Sequence, residues 1–215
     1  QSQPPAAVPY NLEIGSVKEI GVITSNVSSI KARDVGASAK IGKSLLWTFG
    51  DTIFTGNNDG IPRSATAAWT FDLSNPLKVT DGLVNGAPEQ FIPYTAEELN
   101  YNAANAGQNR IALWPNRPLP VSDDMGIVYF GKILVGNGFL NYTNLGVGVA
   151  YVREGQMVAD RPKADVIFGP NEPHFVGSMI HEGYIYAYGS MAGSSDTLVA
   201  RVPVNAAVNR SSYKF

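Results

Sequence analysis

Three short segments constrain this chain most: SLLWTFG (residues 44–50), GIVYFG (126–131) and YIYAYG (184–189). Each is a run of aromatic, aliphatic and β-branched residues that stops at a glycine. Such residues suit a pleated, half-buried surface. Runs this short, bounded by turn signals, predict strands. A tight-turn signal precedes each ("IGKS", "HEGY" and the middle copy's "DDMG"), and a further β-like segment follows: ATAAWTF, GVGVAYV or TLVARVPV. VKEIGVIT (17–24) reads as one more strand upstream. Only residues 95–107 predict a helix, with Thr95 as N-cap and Gly107 as its stop. The expected fold is therefore all-β with one short helical insertion.

The segments also repeat as larger units. Asp34 stands sixteen residues before Gly50, and Glu172 seventeen before Gly189; in the middle copy Asn116 takes the acid's place. Strand-turn-strand units of roughly 40–50 residues, rich in glycine and aromatics, point to a β-propeller. The insertions between copies are irregular, so a β-sandwich stays open. In a propeller the first strand of each blade lines the central channel. The residue that starts each repeat would then project into a shared funnel, bringing Asp34 and Glu172 together.

Composition narrows the partners. With 215 residues, 44% hydrophobic and 16% charged, the chain suffices for one or two domains with a sizeable core. A net charge of -2 without a Lys/Arg cluster argues against nucleic acid and anionic membranes. No apolar run reaches the roughly 18 residues of a membrane span. Cysteine is absent and the only histidines are His174 and His181, which leaves no thiol nucleophile, disulfide or His/Cys metal site. No cofactor is expected. GNNDG (56–60) has oxygen ligands that suit calcium but lacks the EF-hand spacing, so a turn is the better reading. The chain begins at Gln1, and "QSQPPAAVP" reads as a flexible terminus left by signal-peptide removal. With sequons at Asn26, Asn141 and Asn209, the expectation is a secreted glycoprotein. Residues 1–19 are read as an N-terminal extension with a first strand, and 20–215 as the propeller domain.

The phrases "RDVGAS…LLWTFGDT", "RSATAAW", "ALWPNRP" and "EPHF…GYIYAYG" resemble a family of secreted five-bladed β-propellers in bacteria and fungi. Some of its members are endo-acting D-arabinan-degrading glycoside hydrolases. More distantly, the acid at each blade start is similar to glycoside hydrolase family 43. The resemblance runs through most of the chain after about Ile20. It implies that this chain carries about three blades of five, with the others beyond it or on a second chain. It also implies that Asp34 and Asp51 are the catalytic acids.

Glycoside hydrolysis needs two carboxyl groups across the scissile bond. Asp34 would sit at the channel end of the first blade, followed by the small residues Gly36, Ala37 and Ser38 that let a sugar approach. Asp51 closes the same hairpin, beside Thr52 as a hydrogen-bond partner; otherwise it is a turn residue. Glu172 is the third candidate acid, or else the partner of an arginine such as Arg63 or Arg117. His174 shares a strand face with Glu172 and would bind a hydroxyl. His181, in its hairpin turn, reads as an exposed loop residue. Arg63, Trp69, Trp114 and Arg117 are the candidate substrate contacts. The leading expectation is a hydrolase of an arabinose-containing or related polysaccharide. A sugar-binding propeller without catalysis, or a polysaccharide lyase using His174 with Arg63 or Arg117, are the alternatives.

Overall fold

The computed structural model describes residues 15–56, 62–106, 109–138 and 141–215. The first layer is built from β1 (Thr24–Ser25), β2 (Ile30–Arg33), β3 (Ala37–Ile41), β4 (Ser44–Phe49), β5 (Thr52–Phe54), β6 (Thr66–Thr70) and β7 (Lys78–Asp81). Its main sheet has the order β1-β7-β6-β4-β3, and β2 pairs with β5 alongside. A small hairpin, β8 (Leu83–Val84) with β9 (Ala87–Pro88), leads to the helix α1 (Ala96–Ala104).

The second layer comprises β10 (Arg110–Pro115), β11 (Leu119–Pro120), β12 (Met125–Val135) and β13 (Tyr142–Arg153). The eleven-residue β12 pairs with both β10 and β11, which together form one interrupted edge strand, and with β13 on its other side. The third layer is the meander β14 (His174–His181), β15 (Tyr184–Ser190) and β16 (Leu198–Pro203). Single bridges add a fourth line of chain at the outer edges. Phe168 and Asp160 bridge β13, and Lys214 bridges Arg201 of β16.

The layers stack face to face in chain order. Ile41, Leu46 and Trp69 of the first sheet pack against Ile111, Leu113, Val128 and Phe130 of the second. Ile127, Tyr129, Val147 and Val149 pack in turn against Phe175, Ile185, Ala187 and Val202 of the third. The period-2 alternation of β12 thus sends Val128 and Phe130 one way and Ile127 and Tyr129 the other. Being apolar on both faces is what the uninterrupted GIVYFG run encodes. Three layers stand here, against the two of a β-sandwich, and no sheet closes on itself among the described residues.

The strand expectations hold for SLLWTFG, ATAAWTF, GIVYFGKILV, GVGVAYV, YIYAYGS and TLVARVPV. They fail for VKEIGVIT, where only Thr24 enters a strand and Val17, Ile20 and Val22 are exposed. Ile23 packs beside Phe49, Ala68 and Val79, but Val17, Ile20 and Val22 find no facing sheet to bury against. The β14–β15 turn carries Glu182 and Gly183 at φ 47° and 77°, as a two-residue hairpin turn of the right twist demands. The helix begins as expected. The Thr95 hydroxyl accepts from the Glu98 amide, and the Glu98 carboxylate accepts from the Thr95 amide. Gly107 and residues 57–60 of the GNNDG loop lie outside the described residues.

Candidate functional site

The two acids at the ends of the first hairpin meet through their backbones. The Asp34 amide donates to the Asp51 carbonyl, and the Gly50 amide donates to the Asp34 carbonyl, both at 2.8 Å. Asp34 stands in the bend between β2 and β3, exposed and without an ion-pair partner among the described residues. Asp51 follows β4 and is held firmly. Its Oδ2 accepts from Arg110 Nη2 at 2.5 Å, and its Oδ1 from the Trp114 indole at 3.3 Å. Thr52 is not its partner. That hydroxyl is fully buried and shares a 2.6 Å hydrogen bond with Thr66.

The first strands of all three sheets converge beside this hairpin. Asn116, between β10 and β11, ties them together. Its carbonyl accepts from the Thr48 hydroxyl of the first sheet, and its Nδ2 donates to the Phe175 carbonyl of the third. Between the start of β3, the β10–β11 junction and the start of β14 lies a cavity of about 410 Å³. Asp34 and Ala37 line it from the first sheet, Trp114, Asn116 and Arg117 from the second, and His174 from the third.

Two of the repeat glycines, Gly131 and Gly189, make room for His174. A Cβ on Gly131 would come within 3.0 Å of His174 Nε2, and one on Gly189 within 2.3 Å of the His174 carbonyl oxygen. Gly50 brings the Asp34 carbonyl within 3.5 Å of its own Cβ position. At Gly189 and Gly131 a side chain would crowd His174, whereas the 3.5 Å at Gly50 is ordinary contact that a Cβ would tolerate.

His174 is half-buried, and its burial alone lowers its pKa, so the imidazole is neutral at neutral pH. Trp114 stacks its ring edge-on with Tyr142, centroids 5.7 Å apart. Arg117 is exposed and donates from Nε to the Ser38 carbonyl at 3.2 Å. Among the described residues, no three His, Asp or Glu side chains converge as a metal cluster.

Asp34, Trp114, Arg117 and His174 thus line one cavity, with Asp51 bonded to the Trp114 indole behind it. Glu172 is not among them. Its carboxylate turns away to accept from the Gly169 amide at 2.8 Å and from Arg210 Nε at 2.7 Å. Burial raises its pKa, but these two hydrogen bonds and the Arg210 charge outweigh that and leave it lowered. The Arg210 guanidinium lies over the rings of Phe168 and Phe215, so the pair fastens the C-terminal segment to the turn before β14. The arginine partner foreseen for Glu172 exists, but it is Arg210 rather than Arg63 or Arg117. The third repeat reaches the cavity through His174, two residues later, because the turn at Glu172 still lies outside the sheet.

Trp69 is also elsewhere. It is fully buried between the first two sheets, and its indole donates to the Gln156 carbonyl at 2.9 Å, so it has no face for a ligand. Arg63 lines a second cavity of about 300 Å³ on the far side of the Asp51–Arg110 pair. His181 is exposed at the β14–β15 turn, as expected. Asn116 and Arg110 are the site residues that sequence reasoning did not select. Asn116 was visible only as the residue replacing an acid; nothing in the local sequence marks Arg110.

Two solved structures are similar to this chain. One is a hydrolase candidate from Bacteroides ovatus, with a TM-score of 0.54 and 13% identity, over 81% of this chain and 49% of that one. The other is an exo-β-1,3-galactanase from Phanerochaete chrysosporium solved with β-1,3-galactotriose, with a TM-score of 0.54 and 11% identity, over 90% of this chain and 40% of that one. The chain therefore spans half or less of the length of the structures it matches, and at such identities the likeness is one of fold. No family model and no curated protein sequence matches it.

Proposed function

We propose that this chain is the sugar-binding and hydrolytic part of a secreted glycoside hydrolase acting on an arabinose-containing or related polysaccharide. One observation carries the reading: three successive sheets deliver Asp34, Trp114, Asn116, Arg117 and His174 to one cavity, with Asp51 held immediately behind it. Asp51, fixed by Arg110 and Trp114 behind the cavity wall, is the second carboxylate; it attacks the anomeric carbon or activates water once the Trp114 indole releases its Oδ1. Asp34, free of any ion pair among the described residues, exchanges the proton with the leaving oxygen. Trp114 offers a ring face to the sugar, and neutral His174 and Arg117 bind its hydroxyls. The fold likeness to a galactanase solved with an oligosaccharide supports a carbohydrate ligand.

The reading extends to the rest of the propeller. The outer face of the third sheet exposes Val176, Met179, Tyr184 and Val199. A further sheet, on a longer chain or a second one, would cover it and wall the cavity on its remaining side, towards a five-bladed ring.

One observation favours a second reading. Of the three candidate acids only Asp34 lines the cavity, which also suits a lectin-like site that binds sugar without cleaving it. The test is incubation with arabinans, arabinogalactans, xylans and uronic-acid polymers, following reducing ends and ultraviolet absorbance together. The expected result is new reducing ends without absorbance, reduced about 10²–10⁴-fold by Asp34→Asn or Asp51→Asn. Product unchanged in both variants would refute the assignment of the acids. Binding without any product would move the site to the lectin, and absorbance without hydrolysis to a lyase.

A further inference from the structure

We infer that the second cavity is a subsite for the carboxylate of an acidic sugar, coupled to the first cavity through Asp51. The inference rests on the carbohydrate reading of the first cavity. The second cavity, about 300 Å³, is lined by Arg63 and Arg110, by Gln90 and Asn109, and by the phenol of Tyr94; no carboxylate lines it among the described residues. Its polar lining is therefore cationic and amide-rich, beside an apolar wall of Phe54, Pro62 and Leu99, a surface that suits an anion carried on a sugar ring.

Arg110 gives the strongest indication. Its side chain is only 14% exposed, and Nη2 is committed to Asp51. Nη1 is buried with no hydrogen-bond partner among the described residues. A buried donor without a partner is costly, so a shift of Arg110 towards a ligand oxygen in the cavity would recover a hydrogen bond that the resting structure lacks. Arg63 lies across the same cavity, its guanidinium over the Phe54 ring at 5.7 Å, which restrains it while leaving in-plane N–H donors for an acceptor. Two planar guanidinium groups match a carboxylate better than they match a neutral hydroxyl. The Tyr94 hydroxyl is already bonded to Ser64 and to the Ile111 carbonyl, so it forms the floor and not a ligand contact.

The coupling follows from the Asp51 contacts. One oxygen is held by Arg110, which lines the second cavity, and the other by Trp114, which lines the first. A carboxylate drawing Arg110 towards itself would loosen its hold on Asp51. A polysaccharide that presents a uronic acid next to the cleaved sugar would thus be sensed at the carboxylate that acts on it.

The experiment uses calorimetric titration of the Asp34→Asn protein, which prevents turnover, with trigalacturonate, neutral galactotriose and inorganic sulfate. Trigalacturonate should bind about tenfold more tightly than galactotriose, the equivalent of one charge-assisted pair, and the preference should fall with added salt. Adding Arg63→Gln should abolish the preference, Arg63→Lys should keep part of it, and Asn109→Asp, which places a like charge in the cavity, should reverse it. Equal binding of the acidic and neutral trisaccharides would overturn the inference. So would a preference that survives both Arg63→Gln and Asn109→Asp in proteins that melt like the parent. Sulfate binding as tightly as trigalacturonate would overturn the sugar-acid assignment in favour of a simple anion site. Cleavage of neutral polymers without any acid preference would sink this inference alone, whereas failure of every sugar to bind would sink the proposed function beneath it.

Discussion

Glu98 offers the sharpest test of how the helix is anchored. It is the N3 residue of α1, its side chain only 1% exposed, and it faces two cations: Arg161 at 2.6 Å and Lys132 at 2.8 Å. Burial pushes its pKa up, but the hydrogen bonds from Arg161, Lys132 and the Thr95 amide more than compensate and hold it at about 2 against an ordinary 4.5. That difference corresponds to about 3 kcal/mol at roughly 1.36 kcal/mol per unit. Because the folded pKa is the lower one, the stabilisation is complete above the unfolded value and is lost as pH falls towards 2. About 2 of the 3 kcal/mol should be gone by pH 3.

Glu98→Gln removes the carboxylate and leaves Arg161, itself 3% exposed, facing an amide. Breaking one side of a buried pair costs about 3–5 kcal/mol at neutral pH. Urea titrations of both proteins at pH 7, 5, 4 and 3, followed by tryptophan fluorescence, would show the gap. It should be widest at pH 7 and narrow steadily below pH 5. A gap that does not change with pH would refute the claim that the ionised carboxylate stabilises the fold.

Three further outcomes are expected. Gly131→Ala should push the His174 imidazole, 3.0 Å from the new Cβ, out of the cavity; kcat on a cleaved polymer should fall while the melting temperature stays within a few degrees, and unchanged kcat would mean His174 has no role. Glu172→Gln breaks a partly exposed pair with Arg210, side chains 35% and 40% exposed, so it should cost under about 1 kcal/mol and leave kcat within twofold; a loss of hundreds-fold would restore Glu172 as a catalytic acid. Burial lowers the His174 pKa, so the folded state resists protonation and stability should rise with pH below the ordinary value of 6.5. His174→Asn should flatten that rise in urea titrations between pH 4 and 7, and an unchanged slope would refute it.

Much of the fold was legible because its strands carry their own signal. The run GIVYFG was expected to form a strand and does, within β12; its burial on both faces follows from the sheets stacked on either side. Thr95 marked a helix start, which needs only local hydrogen bonds; the return bond from Glu98 came with the structure. VKEIGVIT misled because strand propensity is expressed only where a neighbouring edge is present to pair with. The cavity was legible in part: the repeat brought Asp34 and Asn116 into correspondence, because they stand sixteen and fifteen residues before a strand-ending glycine.

The remainder depended on contacts between residues far apart in the chain. Glu172 and His174 are two positions apart, and a repeat alignment cannot tell which of them enters the sheet; the turn capped by Gly169 and Arg210 decides it. Trp69 and Trp114 look alike in sequence, yet one is sealed between two sheets and the other lines a cavity, because burial depends on what packs opposite. The Arg110–Asp51 pair joins positions in different layers and leaves no local pattern. The sequence by itself determined the strands, the glycines and the helix cap, which follow from side-chain shape and hydrogen bonds within a few residues. Only the stacking of the three sheets decided which charged and aromatic groups share a cavity, because that choice is made by long-range packing and the pairing of buried charges.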